Sequence, residues 1–319
     1  MGNNFNDIAR VQNIVKSFGD VVAVSDSSFT IENGSIMGFL GPNGSGKTTS
    51  IRMLLGLLKP ESGSVTLFGQ NPFNNHKIKN RLGYIPEEYA FPRWMKAEEY
   101  LINLARFNLP REIAIRRARD VLEEMQLTEV AQKRIVQFSK GMKQRMKIGQ
   151  ALIHKPSLII GDEPFNGLDP VLRKRMFEII RGYQETDDMT FFISSHILFE
   201  VENLANKIIL LYKGRTIAQG SAKRIREMIA DQPHEIMITS ESVKPLANLL
   251  INSTDEKTIS GLKFARNFND EEQLIISTLN PRAFYSLLTD LVVEHEITLN
   301  ELRATDEGLE NLFKSLTVG

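Results

Sequence analysis

The sequence predicts an α/β domain with a helical insertion, joined to a smaller α+β domain. Three observations predict it. A glycine-rich loop stands directly between a strand-like run and a helix-like run. Strand-like apolar runs then alternate with segments of helical spacing. The charge balance also changes sign along the chain: residues 1–220 carry 29 Lys and Arg against 23 Asp and Glu, residues 221–319 carry 10 against 16, and the 319 residues together sum to zero. The change follows Lys213-Gly214-Arg215 and Gly220, where a hairpin closes, so domains are predicted over 1–220 and 221–319.

In chain order, β-branched stretches at Ile8 to Val15, Val21 to Ile31 and Ser35 to Leu40 read as strands, punctuated by turns at Gly19 and Gly34. A loop and a helix over Lys47 to Leu58 follow, then strands at Ser64 to Phe68 and Leu82 to Ile85. Apolar spacing turns helical from about Trp94 to Gln150, which places a helical subdomain at about 90–150. Strand character returns at Leu158 to Gly161 and Thr190 to Ser194. The tail reads strand (His234 to Thr239), helix (Val243 to Asn252), strands (Leu262 to Phe268, Gln273 to Thr278), helix from Pro281 to Glu294, strand (Ile297 to Leu302) and a last helix over Asp306 to Leu316. Its βαββαβ order is that of the ferredoxin-like split βαβ unit.

Composition excludes several classes. The chain has no cysteine, so a disulfide framework, a thiolate zinc site, an iron–sulfur cluster and a cysteine nucleophile are all ruled out. Zero net charge argues against a nucleic-acid-coating protein, and no nucleic acid is expected as partner. No apolar run approaches the roughly 20 residues of a membrane helix, and Met1-Gly2-Asn3-Asn4-Phe5-Asn6 lacks a signal-peptide core. A soluble, cytosolic chain is the expectation.

Gly41-Pro42-Asn43-Gly44-Ser45-Gly46-Lys47-Thr48 fits G-x-x-x-x-G-K-[ST] at every fixed position, followed by Thr49. Such a loop turns backbone N–H groups towards phosphate oxygens, and glycine lets the main chain approach them. The helix N-terminus adds partial positive charge. Lys47 can neutralise the β- and γ-phosphates, and the Thr48 hydroxyl can ligate Mg²⁺. The apolar strand from Ser157 ends in Asp162-Glu163, two carboxylates that need cations or water. If that strand lies beside the one feeding the loop, Asp162 faces Mg²⁺ and Glu163 is free to act as general base. Asp169-Pro170 reads as an N-cap and N1 proline. His196, after Ser194-Ser195, closes another strand and reads either as a surface or capping residue or, more in keeping with its place, as a group beside the γ-phosphate site.

With these pieces in order, the chain resembles the ATP-binding subunits of ABC transporters. Phe138-Ser139-Lys140-Gly141-Met142-Lys143-Gln144-Arg145 stands shortly before the carboxylate strand, as the family signature (usually written LSGGQ) does. It departs from that signature at Phe138, Lys140 and Met142, a form similar to that of drug, polysaccharide, heme-factor and sodium exporters. Read on its own, Ser139 is the N-cap of a basic helix running to about Ile153. The resemblance covers roughly residues 5–220. It implies a P-loop NTPase of the ABC ATPase type, with Ser139 and Gly141 on phosphate and Phe18 stacked on adenine. By the same resemblance Asp162 matches the Walker B aspartate, Glu163 the catalytic glutamate, Leu168-Asp169 the D-loop and His196 the switch histidine. Glu87, in Tyr84-Ile85-Pro86-Glu87, stands where most members have Gln, and either ligates the metal or relays motion. A weaker match likens the tail, including Gly308-Leu309-Glu310-Asn311-Leu312-Phe313, to exporter-type extensions.

The resemblance implies ATP and Mg²⁺ as cofactors. One phosphate loop and one signature segment per chain imply a head-to-tail homodimer around two ATP molecules. An integral membrane transporter subunit is then expected, with this chain peripheral at the cytoplasmic face. Tyr89, Phe91, Trp94 and Met95, an apolar cluster around Pro92, are candidates for its docking surface or for ordinary packing of the insertion. Two other readings are a non-transport ABC ATPase in translation or DNA maintenance, and an ATPase whose tail is a ligand-binding regulatory module. The first is disfavoured by the single cassette and the lack of a sustained heptad.

Overall fold

A computed structural model describes residues 7–88, 91–225, 234–240, 243–253, 258–266 and 272–304. The chain forms two compact units, Met1–Ala222 and Lys223–Gly319. The first contains β1 (Asp7–Phe18), β2 (Val21–Glu32), β3 (Ile36–Leu40), α1 (Lys47–Leu54), β4 (Ser62–Leu67), α2 (His76–Lys79), β5 (Leu82–Ile85), α3 (Ala97–Ala105), α4 (Arg111–Glu124) and α5 (Lys140–Leu152). It continues with β6 (Leu158–Asp162), α6 (Pro170–Asp187), β7 (Thr190–Ser195), α7 (Leu198–Leu204), β8 (Lys207–Tyr212) and β9 (Arg215–Ser221).

The apolar runs β3, β6 and β7 are buried at every residue, as strands covered on both faces must be. They lie in a six-stranded sheet of order β5-β6-β7-β3-β8-β9, parallel except for the closing β8–β9 hairpin. A second, antiparallel sheet of order β2-β1-β4 lies against it. Phe29 of β2, Phe39 of β3 and Phe192 of β7 join the two layers, with ring centroids 5.0–5.8 Å apart. This order corrects one premise of the sequence reading: β6 is not the neighbour of β3, because β7 lies between them. The helix after the glycine-rich loop is also shorter than predicted. It stops at Leu54, where Gly56 turns left-handed and Leu57 and Leu58 fold their N–H groups back onto Arg52 O.

The helical insertion is tied to the sheet's helices by a buried polar cluster. Arg117 of α4 donates to Glu124 Oε1 at 3.0 Å, to Leu152 O at the end of α5 at 3.1 Å, and to Tyr183 Oη of α6 at 2.7 Å. Tyr183 in turn donates to Glu124 Oε2 at 2.6 Å, and burial pushes its phenol up to about 12.

The second unit runs β10 (His234–Ser240), α8 (Val243–Ser253), β11 (Gly261–Arg266), β12 (Glu272–Thr278), α9 (Pro281–Glu294) and β13 (Leu299–Ala304). Its antiparallel sheet has the order β11-β12-β10-β13, the ferredoxin-like arrangement that the βαββαβ pattern predicts. Ile236, Ile238, Leu274 and Ile276 pack there against Leu246, Leu250, Phe284 and Leu288 of the two helices. The last predicted helix, with Gly308 to Phe313, lies outside the described residues.

Replacing Tyr183 by Phe leaves Arg117 and Glu124 each short of a buried partner. Chemical denaturation of Tyr183→Phe is expected to show a loss of about 1–2 kcal/mol, and an unchanged stability would show that the cluster does not hold the insertion.

Candidate functional site

The carboxyl ends of β3, β6 and β7 point to the same edge of the sheet, and each delivers a functional segment. Leu40 leads into the loop, whose shape explains its glycines. Gly46 has φ +98°, and a Cβ there would stand 2.4 Å from Ala23 O; a Cβ on Gly41 would stand 2.3 Å from Leu211 O. Ser45 anchors the loop through its backbone, accepting from Gly214 N at 2.9 Å. The Lys47 ammonium, on a residue only 7% exposed, turns back into the loop and donates to Gly41 O at 2.7 Å and Pro42 O at 3.2 Å.

From the end of β6, Asp162 and Glu163 enter the same edge at 1% and 5% exposure. The β7 strand that separates β6 from β3 supplies the link: Ser194 donates through Oγ to Asp162 Oδ1 at 2.7 Å and accepts from Glu163 N at 3.0 Å. Glu163 has φ +48°, a left-handed backbone that glutamate rarely adopts, and this aims its side chain across β7 towards the loop. Its Oε1 lies 3.4 Å from Lys47 Nζ, an ion pair beyond hydrogen-bond geometry, and its Oε2 lies 3.0 Å from His196 Nδ1. Burial raises the Glu163 carboxyl above the ordinary glutamate range, against the opposing pull of Lys47 and His196.

A cleft of about 480 Å³ lies over this edge, lined by Val21, Val22, Ala23, Asn43 to Thr49, Glu87 and Glu163. Thus Asn43, Gly44, Ser45, Gly46, Lys47, Thr48, Thr49, Glu87 and Glu163 share one wall. Phe18 is about half exposed at the β1–β2 turn, paired with Val21, and Lys16 Nζ stands 5.5 Å from its ring centroid. Ser139 and Gly141 do not line the cleft. Ser139 caps α5 by accepting from Met142 N at 3.2 Å, and a Cβ on Gly141 would meet only Gly167 O, at an ordinary 3.6 Å. Asp169 caps α6 by accepting from Leu172 N at 2.9 Å, with Pro170 at N1.

Among the described residues no three His, Asp or Glu side chains cluster as a metal cage. The donor set nonetheless fits Mg²⁺, which prefers hard oxygen ligands and retains water and phosphate. Asp162 Oδ2 is buried without a hydrogen-bond partner, and the Thr48 hydroxyl stands at the start of α1.

Two contributors went unread in the sequence. Ser194 joins the Asp162 carboxylate to the backbone N–H of Glu163, but a serine in an apolar strand carries no signal of its own. Lys147, on the buried face of α5, donates to Pro86 O at 3.1 Å and Glu87 O at 2.8 Å, fixing the segment that presents Glu87.

Residues 24–166 match the ABC transporter family. The bacitracin transport ATP-binding protein BcrA of Bacillus licheniformis is 41% identical over 66% of this chain and 69% of its own length. The linearmycin resistance ATP-binding protein LnrL of Bacillus subtilis is 32% identical over 97% of both chains. The chain belongs to the ABC transporter ATP-binding proteins. A solved ABC cassette, MJ1267 in its ADP conformation, superposes at a TM-score of 0.63 with 25% identity, covering 70% of this chain and 95% of that one. The chain is accordingly an ATP-binding subunit of an ABC transporter and an ATP hydrolase of that type, and the fold is the P-loop NTPase expected for it. ABC ATP-binding subunits pair with membrane components, and among the described residues no helix is long and apolar enough to cross a membrane.

The raised Glu163 carboxyl has a measurable consequence. A raised folded-state value favours the fold below the ordinary value of 4.5, and that advantage is lost as pH rises through the folded value. Glu163→Gln is therefore expected to raise the thermal midpoint of the nucleotide-free chain at neutral pH, with the gain shrinking on acidification. A pH-independent difference would show that burial does not dominate this carboxyl.

Proposed function

We propose that the chain acts as a head-to-tail homodimer that closes on two ATP molecules and drives export through a separate membrane-spanning subunit. The observation that carries this reading is the meeting of Lys47 and Glu163 at the phosphate-loop cleft, with His196 held against Glu163, while Ser139 and Gly141 do not line it. Glycine at 141 answers no crowding within the chain, which supports its use against a surface approaching from outside. A second copy supplying Ser139 and Gly141 completes the site.

In this reading the loop amides from Gly41 to Thr49 cradle the phosphates, and Lys47 exchanges its carbonyl partners for β- and γ-phosphate oxygens. Thr48 and Asp162 would hold Mg²⁺, with Glu87 on the same cleft, and the ion when bound would supply charge neutralisation at the phosphates. Glu163 orients the attacking water and takes its proton as that oxygen bonds to the γ-phosphorus and the bond to ADP breaks. His196 holds Glu163 and reaches the γ-phosphate, and Phe18 stacks on adenine beside Val21. ATP binding closes the dimer and hydrolysis reopens it, which gives the membrane partner two states of different stability.

The chain sits at the cytoplasmic face of the membrane in this proposal. Its docking surface lies by Glu87, where Phe91 packs edge-on to Tyr100 and Trp94 is 73% exposed; Tyr89 lies outside the described residues. A cleft of about 300 Å³ lined by Tyr84, Tyr100, Leu104, Phe107 and Gln150 adjoins it and suits a helix from the partner. Export is favoured by the relatives named for bacitracin transport and linearmycin resistance.

Glu163→Gln is expected to cut steady-state hydrolysis by about a thousandfold while ATP still binds and a dimer accumulates in size-exclusion chromatography. Normal turnover in that variant would sink the general-base assignment. Gly141→Ala is expected to keep the monomer's thermal midpoint and nucleotide binding but to weaken ATP-dependent dimerisation by about tenfold or more. Unimpaired dimerisation would remove Gly141 from the shared site.

A further inference from the structure

Glu200 is a carboxylate that the chemistry above does not use, yet it is only 2% exposed. It lies in the first turn of α7, four residues after His196. Its two oxygens face different segments. Oε2 accepts from Ser195 Oγ at 2.7 Å, and Oε1 lies 3.3 Å from Arg173 Nε.

Each of these neighbours leads to a part of the site. Ser195 immediately precedes His196, and its hydroxyl also accepts from Ile197 N at 3.0 Å, closing the turn that presents the imidazole. Its carbonyl accepts from Gly41 N at 3.3 Å, where the phosphate loop begins. Arg173 lies in the first turn of α6, and its Nη2 donates to Leu168 O at 3.3 Å, beside the cap residue Asp169. A single buried carboxylate thus stands between the His196 turn and the Leu168-Asp169 turn, while Ser195 extends the link to Gly41.

A buried ion pair is a poor source of stability, since well-packed apolar side chains commonly do as well. Its contribution is geometric: it fixes the separation of the groups that compensate it. We infer that Glu200 is a positioning residue that keeps His196 and the Leu168-Asp169 turn in register with the start of the phosphate loop. The inference rests on the proposed role of His196. Ser195 holds one side of the link and Arg173 the other, so severing either side undoes the same register.

The test is steady-state ATP hydrolysis by the full chain, with thermal midpoints measured alongside. Glu200→Gln keeps an acceptor for Ser195 but removes the charge facing Arg173, and is close in size to the original. It is expected to lower kcat about tenfold, as small misplacement of reacting groups does, with KM for ATP changed by less than about twofold. Ser195→Ala and Arg173→Gln are expected to give similar losses. Their double variant is expected to lose no more than the worse single, because both cut one link.

Unchanged kcat in Glu200→Gln, losses that multiply in the double variant, or a raised KM at constant kcat would each overturn the inference. A His196→Ala control separates the two readings. If it turns over normally, the proposed role of His196 fails and the inference falls with it. If it is impaired while Glu200→Gln is normal, only the inference fails.

Discussion

One ammonium and two carboxylates, those of Lys47, Asp162 and Glu163, are buried within the edge of a single parallel sheet, and the surrounding structure is arranged to make that tolerable. Each would be expensive in an apolar interior alone. Lys47 is held by carbonyls of its own loop and faces Glu163, Asp162 accepts from Ser194 through one oxygen and keeps the other without a hydrogen bond, and Glu163 lies against Lys47 and His196. The close approach at Gly41 and Gly46, the left-handed Glu163 and the placement of β7 between β6 and β3 all serve to bring these groups within reach of one another. The antiparallel layer and its phenylalanine cluster cover the sheet that holds them.

Much of this was legible in the sequence, for identifiable reasons. The loop Gly41 to Thr48 declares itself because each fixed residue answers a local demand of backbone geometry or phosphate charge. Ser139 and Asp169 were readable as caps because capping is decided within four residues, and both caps are present. The tail's strand order followed from a short βαββαβ pattern that has few ways to close. The order of the central sheet was not readable in the same way, because pairing between β6 and β7, or β7 and β3, is decided by contacts far apart in the chain. The condition that β6 adjoin β3 is not met for that reason, and the part played by Ser194 between them has no signal in the sequence.

The three links at the end of β7 have a common character. Ser194, Ser195 and His196 are consecutive, and their side chains reach Asp162, Glu200 and Glu163 respectively. Alternation along a strand sends neighbouring side chains to opposite faces, so three adjacent residues engage three carboxylates in different surroundings. A strand placed between the loop strand and the carboxylate strand acts as a distributor between them. This accounts for functional residues at its end that have no single counterpart on either neighbour.

The partners that Lys47 finds within the chain bear on how the loop takes up an anion. Here the ammonium is folded inward onto Gly41 and Pro42 carbonyls, with Glu163 as its counter-ion. A phosphate oxygen that binds Lys47 therefore competes with partners the chain itself supplies, two loop carbonyls and one carboxylate.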